Sequence, residues 1–386
     1  MKKKVILLVS SFFTERDYIR YGIDEMKTHL AVEVWDLTNL LYSNVSKQNS
    51  EKHTSKIIRV FGQMANVTDE ISLQKKHTYF ISSIIVSYKS FKIFKTISKN
   101  KYAYGCVGPY QIGLFPSTNP QGSFFSRNGN ITLTDIYYKI LNRLFINKLS
   151  FRILDIKAAN HFFMSGGDEV EVFGNHLNDS TELIKIHSNN YDIYLENERV
   201  NLREDYILYL DQYFPFHPDF EFSQQKNVFE KNEFYENLRI FFEKIEKIYD
   251  LEVVISAHPK SFYEDKPGLF GNRRIIKNIN SLSAIIDASL VIVHNSSALD
   301  FAVLYNKNMI FLTSSSFENT REGEMISAYA ELFNVKTYDC RDSSVDLSPY
   351  ITTIDSYKSY IQRYIKSKDS EIEKFWVQVI NTIKSH

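Results

Sequence analysis

Short apolar runs alternate with segments of helical period along most of this chain. Val5 to Val9 is a continuous apolar run, Asp17 to Leu30 places Ile19, Ile23, Met26 and Leu30 at helical spacing, and Val32 to Leu37 is a second run. The pattern predicts strand, helix, strand. After a polar connection at Ser43 to Ser55, Tyr79 to Val86 and Tyr102 to Val107 read as strands around a helix near Phe91 to Ile97. Thr132 to Leu149 is again helical in pattern, and His161 to Met164 and Leu183 to Ile186 are short strands separated by the Gly166-Gly167-Asp168 turn. Ser188 to Asp205 is polar and acidic with no sustained period, and reads as a linker.

A second series begins beyond it. Tyr206 to Leu210, Leu251 to Ala257, Arg274 to Lys277, Leu290 to Val293 and Met309 to Leu312 are predicted strands. Asn227 to Tyr249, Leu282 to Asp287 and Ser296 to Tyr305 are helical, and Ile354 to Ile383 reads as two closing helices. Such alternation favours two α/β halves, each a mostly parallel sheet wrapped by helices. A length of 386 residues agrees, at roughly 150 residues per domain.

Charge and composition narrow the field. Lysine plus arginine (46) balances aspartate plus glutamate (46), so no overall field holds the chain on nucleic acid, and any anion must be bound by a local site. Cys106 and Cys340 are too few for a disulfide framework or a cysteine zinc site, and suit a reducing compartment. The apolar run after Lys2 to Lys4 is too short for a signal peptide, and no stretch reaches the about 18 apolar residues of a membrane span. The expected location is cytoplasmic, with peripheral contact at the inner membrane as an option. Neither GxGxxG nor the phosphate-loop pattern GxxxxGK followed by Ser or Thr occurs, which disfavours the usual dinucleotide oxidoreductases and nucleotide kinases.

Two stretches carry candidate chemistry. In Leu290 to Ala302 an apolar strand empties into His294-Asn295-Ser296-Ser297 and then a helix, with Asn295 as the expected N-cap. Backbone N–H groups and two hydroxyls there can hold a phosphate, although Ser and Asn are also ordinary caps. In Val253 to Lys260 a strand ends in His258-Pro259-Lys260, at the edge where open α/β sheets bind ligands. A lone His at a strand end is often structural, and the same applies to His217 before Pro218, which follows Asp211-Gln212. Both stretches fall on one edge of one sheet, so they can converge on a single anion. Asp211 and Gln212, ending the strand Tyr206 to Leu210, complete the expected donor-binding set.

This combination resembles the C-terminal domain of GT-B glycosyltransferases, and more closely the bacterial transferases that use CMP-activated sialic acid and related nonulosonates. The resemblance spans about Tyr206 to Thr313. In that group an HP and an SS motif contact the donor nucleotide; His258 and Pro259 match the first, Ser296 and Ser297 the second. CDP-glycerol and related transferases show similar HP signals. The resemblance implies two facing Rossmann-like domains: residues 1–188 on the acceptor side, a linker at 189–204, a nucleotide-sugar domain at 205–348, and bracing C-terminal helices at 349–386. It implies inverting transfer from a CMP donor to an oligosaccharide or lipid-linked surface glycan.

The third motif of that group, an acidic pair followed by Gly, is absent in that order; the nearest match is Gly166-Gly167-Asp168-Glu169. A carboxylate kept in a dry site can act as the base that deprotonates the acceptor hydroxyl. Asp168 leads the candidates, with Glu15 and Asp17 in the loop after the first strand and His187 beside the linker as competitors; a solvated turn and a structural His are the alternatives. No paired histidine spacing or DxD points to a metal, and no cofactor beyond the donor is expected. Phe115, Phe124 and Phe125 lie in a loop that could face an acceptor or a membrane, although packing accounts for most aromatics. Alternatives are a UDP-sugar or CDP-polyol transferase, a nucleotide-sugar epimerase on the same frame, and a catalytically silent scaffold.

Overall fold

The computed structural model describes residues 2–42, 55–107, 137, 140–141, 151–166, 176–197, 205–217, 229–277, 281–342 and 354–386. The described residues up to Asp192 form one unit together with Lys366–His386, and Ile193–Ile365 form a second. Each is built on its own sheet.

The first sheet contains β1 (Lys4–Val9), β2 (Ala31–Asp36), β3 (Ile58–Val60), β4 (Tyr79–Ser82), β5 (Ala103–Val107), β6 (His161–Met164) and β7 (Glu182–Lys185). Their order is β3-β2-β1-β4-β5-β6-β7, and every pairing is parallel. Apolar runs such as Val-Ile-Leu-Leu-Val in β1 form strands here because helices cover both faces of a parallel sheet. Ile6 and Leu8 enter one buried cluster with Phe80, Tyr104 and Phe162, whereas Val5, Leu7 and Val9 enter the other. The second cluster is completed by the helix Phe375–Ser385, through Val379, Ile380 and Ile383. The closing helices therefore divide: Ile354–Tyr360 belongs to the second unit and Phe375–Ser385 to the first.

The second sheet contains β8 (Tyr206–Leu210), β9 (Val253–Ser256), β10 (Ile275–Ile276), β11 (Ala288–Val293), β12 (Asn308–Thr313) and β13 (Thr337–Asp339), in the order β10-β9-β8-β11-β12-β13 and all parallel. Counted from β8, this is the 3-2-1-4-5-6 order of a doubly wound nucleotide-binding sheet. The chain leaves β8 toward β9 and later returns to its other side as β11, so the strand order reverses between β8 and β11.

Several predicted elements differ from what is observed. The helix expected from Asp17 to Leu30 is two helices, Glu15–Arg20 and Ile23–His29. They are separated at Gly22, whose φ is +53° and whose missing Cβ would lie 2.3 Å from Trp376 Cδ1. The Trp376 indole N–H donates to the Arg20 carbonyl (2.8 Å), satisfying an end group of the first helix. The polar stretch read as a linker holds a helix, Asn189–Glu196, with no buried residue and hence no apolar period to betray it. A helix at Arg321–Phe333, capped by Thr320, and the strand β13 also escaped the sequence pattern.

Candidate functional site

The carboxyl ends of β8, β9, β11 and β12 lie side by side at the point where the second sheet reverses its order. Asp211 and Gln212 follow β8 directly and hold the neighbouring turns. Asp211 Oδ2 accepts from the His258 backbone N–H (3.2 Å) and from the Tyr263 hydroxyl (2.7 Å), while Oδ1 accepts from the Tyr213 N–H (2.9 Å). Gln212 Oε1 accepts from the Asn295 N–H at 2.9 Å. One dipeptide thus pins the HP turn on one side and the Asn-Ser-Ser turn on the other.

Asp211 is buried, and burial pushes its carboxyl above the usual range against the opposing pull of its hydrogen bonds. Burial, followed by the neighbouring Asp211 charge, drives the Tyr263 hydroxyl strongly upward, so it remains a proton donor to the carboxylate. Satisfying a buried carboxylate with several donors keeps it tolerable and fixes its geometry.

His258 is half-buried; its Nδ1 accepts from the Lys260 N–H (3.2 Å), so the neutral ring carries its proton on Nε2. The His217 ring packs edge-on against it with centroids 4.8 Å apart, which places both sequence-flagged histidines together. Pro259 and Lys260 are exposed at the tip of the turn. Arg273 and Arg274 are elsewhere: they precede β10 at its amino end, paired with Glu246 (2.6 Å) and Glu252 (3.0 Å).

Asn295 does not cap the following helix. Leu299–Leu304 starts three residues later with Ala298 in the cap position and no side-chain cap bond, because Asn295 is drawn to Gln212 and its amide reaches Met325 Sδ (3.6 Å). Ser296 Oγ accepts from the Ala298 N–H (3.3 Å), closing a small turn in which Ser296 and Ser297 are half-buried. Three buried oxygens on this edge, Ser261 Oγ at the end of the HP turn, Asn295 Oδ1 and Ser314 Oγ, lack a hydrogen-bond partner among the described residues. Ser314 follows β12 and was missed, although Ser314-Ser315-Ser316 repeats the strand-then-small-polar signal seen after β11. The adjoining His294 is structural: its Nδ1–H donates to the Leu312 carbonyl (2.7 Å), Nε2 accepts from Tyr209 (3.0 Å), and burial lowers its pKa to about 4.

The residues considered as bases fall in different settings. Asp168 lies outside the described residues, as do Glu169 and the Phe115, Phe124 and Phe125 loop. Asp17 is engaged in a capping box, its Oδ2 accepting from the Thr14 hydroxyl (2.7 Å) and N–H (3.0 Å). Glu15 is exposed in the first turn of the same helix. His187 corrects an expectation: it is 0% exposed, with Nε2 2.6 Å from Asp192 Oδ1 and Nδ1 3.2 Å from the Glu371 carbonyl oxygen, leaving no ring nitrogen for an acceptor. Among the described residues no group of three or more His, Cys, Asp or Glu could hold a metal ion, and no helix is long and apolar enough to cross a membrane.

No protein-family model and no curated protein matches the chain. Among solved structures it is similar to the wall teichoic acid polymerase TagF soaked with CDPG, at 13% identity over 100% of this chain and 90% of that one, with a TM-score of 0.50. It is also similar to the UDP-GlcNAc 2-epimerase of Methanocaldococcus jannaschii (13% identity, 100% of both chains, TM-score 0.49). A third similar structure is MurG of Acinetobacter baumannii (10% identity, 100% of both chains, TM-score 0.45). With two parallel α/β units in one chain, the fold is that of the GT-B enzymes.

Proposed function

We propose that the chain is a glycosyltransferase that moves an acidic nonulosonate sugar from a CMP donor to a surface glycan, without a metal and with inversion. The observation that carries this reading is the Asp211-Gln212 link, which joins the HP and Asn-Ser-Ser turns at the reversal point of the second sheet. Ligands of open α/β sheets bind in that crevice. Arg273 and Arg274 are tied to glutamates at the opposite edge, and the cations near the HP turn are Lys260 within it and Lys266 over the Tyr213 and Phe216 rings, a modest charge that suits one phosphate better than two. His258, with its Nε2 proton, would donate to the leaving phosphate, assisted by the Ser296 and Ser297 hydroxyls. Asp168 remains the proposed base, ahead of the exposed Glu15 and the engaged Asp17. The acceptor would be an oligosaccharide or a lipid-linked glycan, met on the cytoplasmic side of the inner membrane.

Calorimetric titration with CMP, CDP, UMP and UDP tests the reading: CMP should bind at least as tightly as CDP and more tightly than either uridine nucleotide. His258→Ala and Ser296→Ala/Ser297→Ala should each weaken CMP binding by about ten- to a hundredfold. Activity should survive EDTA, and Asp168→Asn should lower turnover by roughly 10²–10⁴ with donor affinity unchanged. A clear preference for CDP would favour a second reading, transfer from a CDP-linked polyol, to which the likeness to CDPG-soaked TagF points. A preference for UDP would favour a UDP-sugar transferase or epimerase, and binding without turnover a scaffold.

A further inference from the structure

The zero net charge of the chain conceals a strong local imbalance. Between Ile71 and Asn160 there are ten lysines and three arginines but two acids, Asp135 and Asp155. Topology gathers part of this excess at one place. The loops entering β4, β5 and β6 lie side by side, because Tyr79 pairs with Ala103 and Gly105 with His161 at the amino ends of adjacent strands. Lys75 and Lys76 precede β4, Lys99 and Lys101 precede β5, and Lys157 precedes β6; all five are exposed. The loops are tied together: the Tyr102 hydroxyl donates to the Gln74 carbonyl (2.5 Å), and the Lys157 N–H donates to Ser98 Oγ (2.8 Å).

Within this lysine-bearing face is a pocket of about 530 Å³ whose lining includes Lys101, Lys157, Asn160, Asn178, Ser180 and Asp155. Its polar groups are biased toward donation. Asn160 Oδ1 already accepts from the Tyr104 N–H (3.1 Å), and Asn178 Oδ1 from the Ser180 N–H (2.9 Å) and hydroxyl (2.7 Å). What those carboxamides have left to offer is the NH₂ end, beside two ammonium groups. Asp155, on the pocket wall, Asp179, in the exposed Asn178–Ser180 turn, and Glu182, whose N–H donates to the Asn160 carbonyl (2.8 Å), oppose them, and His386 completes the wall.

We propose that this pocket and its lysine rim form a second anion-binding site, which holds the carboxylate or phosphodiester groups of an acidic glycan chain. It lies at the amino ends of the first sheet, whereas the donor site lies at the carboxyl ends of the second. A concave, amide-lined site of this volume fits successive sugar units, and lysines spread over three loops match charges repeated along a polymer. Assignment to a glycan rests on the transferase reading above; the anion chemistry does not.

The test uses the full chain and a short, fluorescently labelled oligosialic acid, with labelled poly(glycerol phosphate) as the phosphodiester arm and dextran as the neutral one. Binding of at least one acidic probe should weaken with added salt and exceed that of dextran. Lys101→Asn/Lys157→Gln should reduce acidic-glycan binding by about tenfold or more with CMP binding unchanged. Asparagine is chosen at position 101 because Lys101 has a φ of +60°, which Asn tolerates. Lys247→Gln/Lys336→Gln, in the second unit, serves as the charge-matched control and should bind as the wild type does. Equal loss in both variants, or dextran binding as well as the acidic probes, would overturn the proposal. So would capture by phosphatidylglycerol vesicles with no binding of soluble glycan, which would indicate a membrane surface. Failure of CMP to bind, with lysine-dependent glycan binding intact, would sink the donor reading and leave this site standing.

Discussion

At the scale of single residues, Tyr263 shows how the HP turn depends on a group buried behind it. Its hydroxyl donates to the buried Asp211 carboxylate at 2.7 Å beside the Tyr213, His258 and Gln212 N–H groups, and removing it takes away the one side-chain donor among them. Tyr263→Phe should destabilise the second unit by about 1–3 kcal/mol and, by loosening the HP turn, weaken CMP binding. Wild-type CMP affinity in a calorimetric titration of this variant would break the connection between the carboxylate and the turn. His294 supplies a pH dependence. Burial depresses its folded pKa to about 4, below the unfolded value near 6.5. The stability it contributes is therefore present above about pH 6.5 and is lost as pH falls toward 4, by up to roughly 1.4 kcal/mol per pH unit. His294→Gln should flatten a plot of melting temperature against pH over that window; an unchanged slope would show that the proton is taken up elsewhere. The HP and Ser-Ser positions were legible in the sequence because each ends an apolar strand with small or polar residues. Tyr263 was not: 52 positions separate it from Asp211, and only the packed turn brings them together.

At the scale of elements, local pattern succeeded where one face meets the core and failed where a distant residue decides. The strands Tyr206–Leu210 and His161–Met164 occupy the positions that their apolar runs predict. Asn189–Glu196 could not be read because it buries nothing, and Glu15–His29 was misread because the break at Gly22 is imposed by Trp376 from the far end of the chain. Gly22→Ala should combine left-handed backbone strain with displacement of the indole, for a cost of about 3 kcal/mol or more. Gly268 offers the comparison, since it has a φ of +77° but nothing within 4 Å of an added Cβ. Gly268→Ala should cost only the backbone term, about 1–2 kcal/mol. Equal melting temperatures for the two variants would show that Trp376 shifts freely, and that the break in the helix belongs to the glycine alone.

At the scale of the whole molecule, the two units differ in how they are assembled from the chain. The second sheet lies entirely within Ile193–Ile365, so a fragment with those bounds should fold and, if the proposed donor reading holds, match the full chain in CMP affinity, which calorimetry can check. A fragment ending at Asp192 should instead aggregate, because Val379, Ile380 and Ile383 are missing from the cluster around Val5, Leu7 and Tyr79. Adding the segment Lys366–His386 to that fragment should restore solubility. This return of the chain to its first unit sets an order on synthesis. The apolar face formed by Val5, Leu7 and Ile23 is made early by the ribosome but cannot be covered until Phe375–Ser385 has emerged. At about 5–20 residues per second, translating the intervening second unit leaves that face open for roughly ten to thirty-five seconds, a window in which a chaperone that shields apolar surface would matter more to yield than the stability of the finished protein.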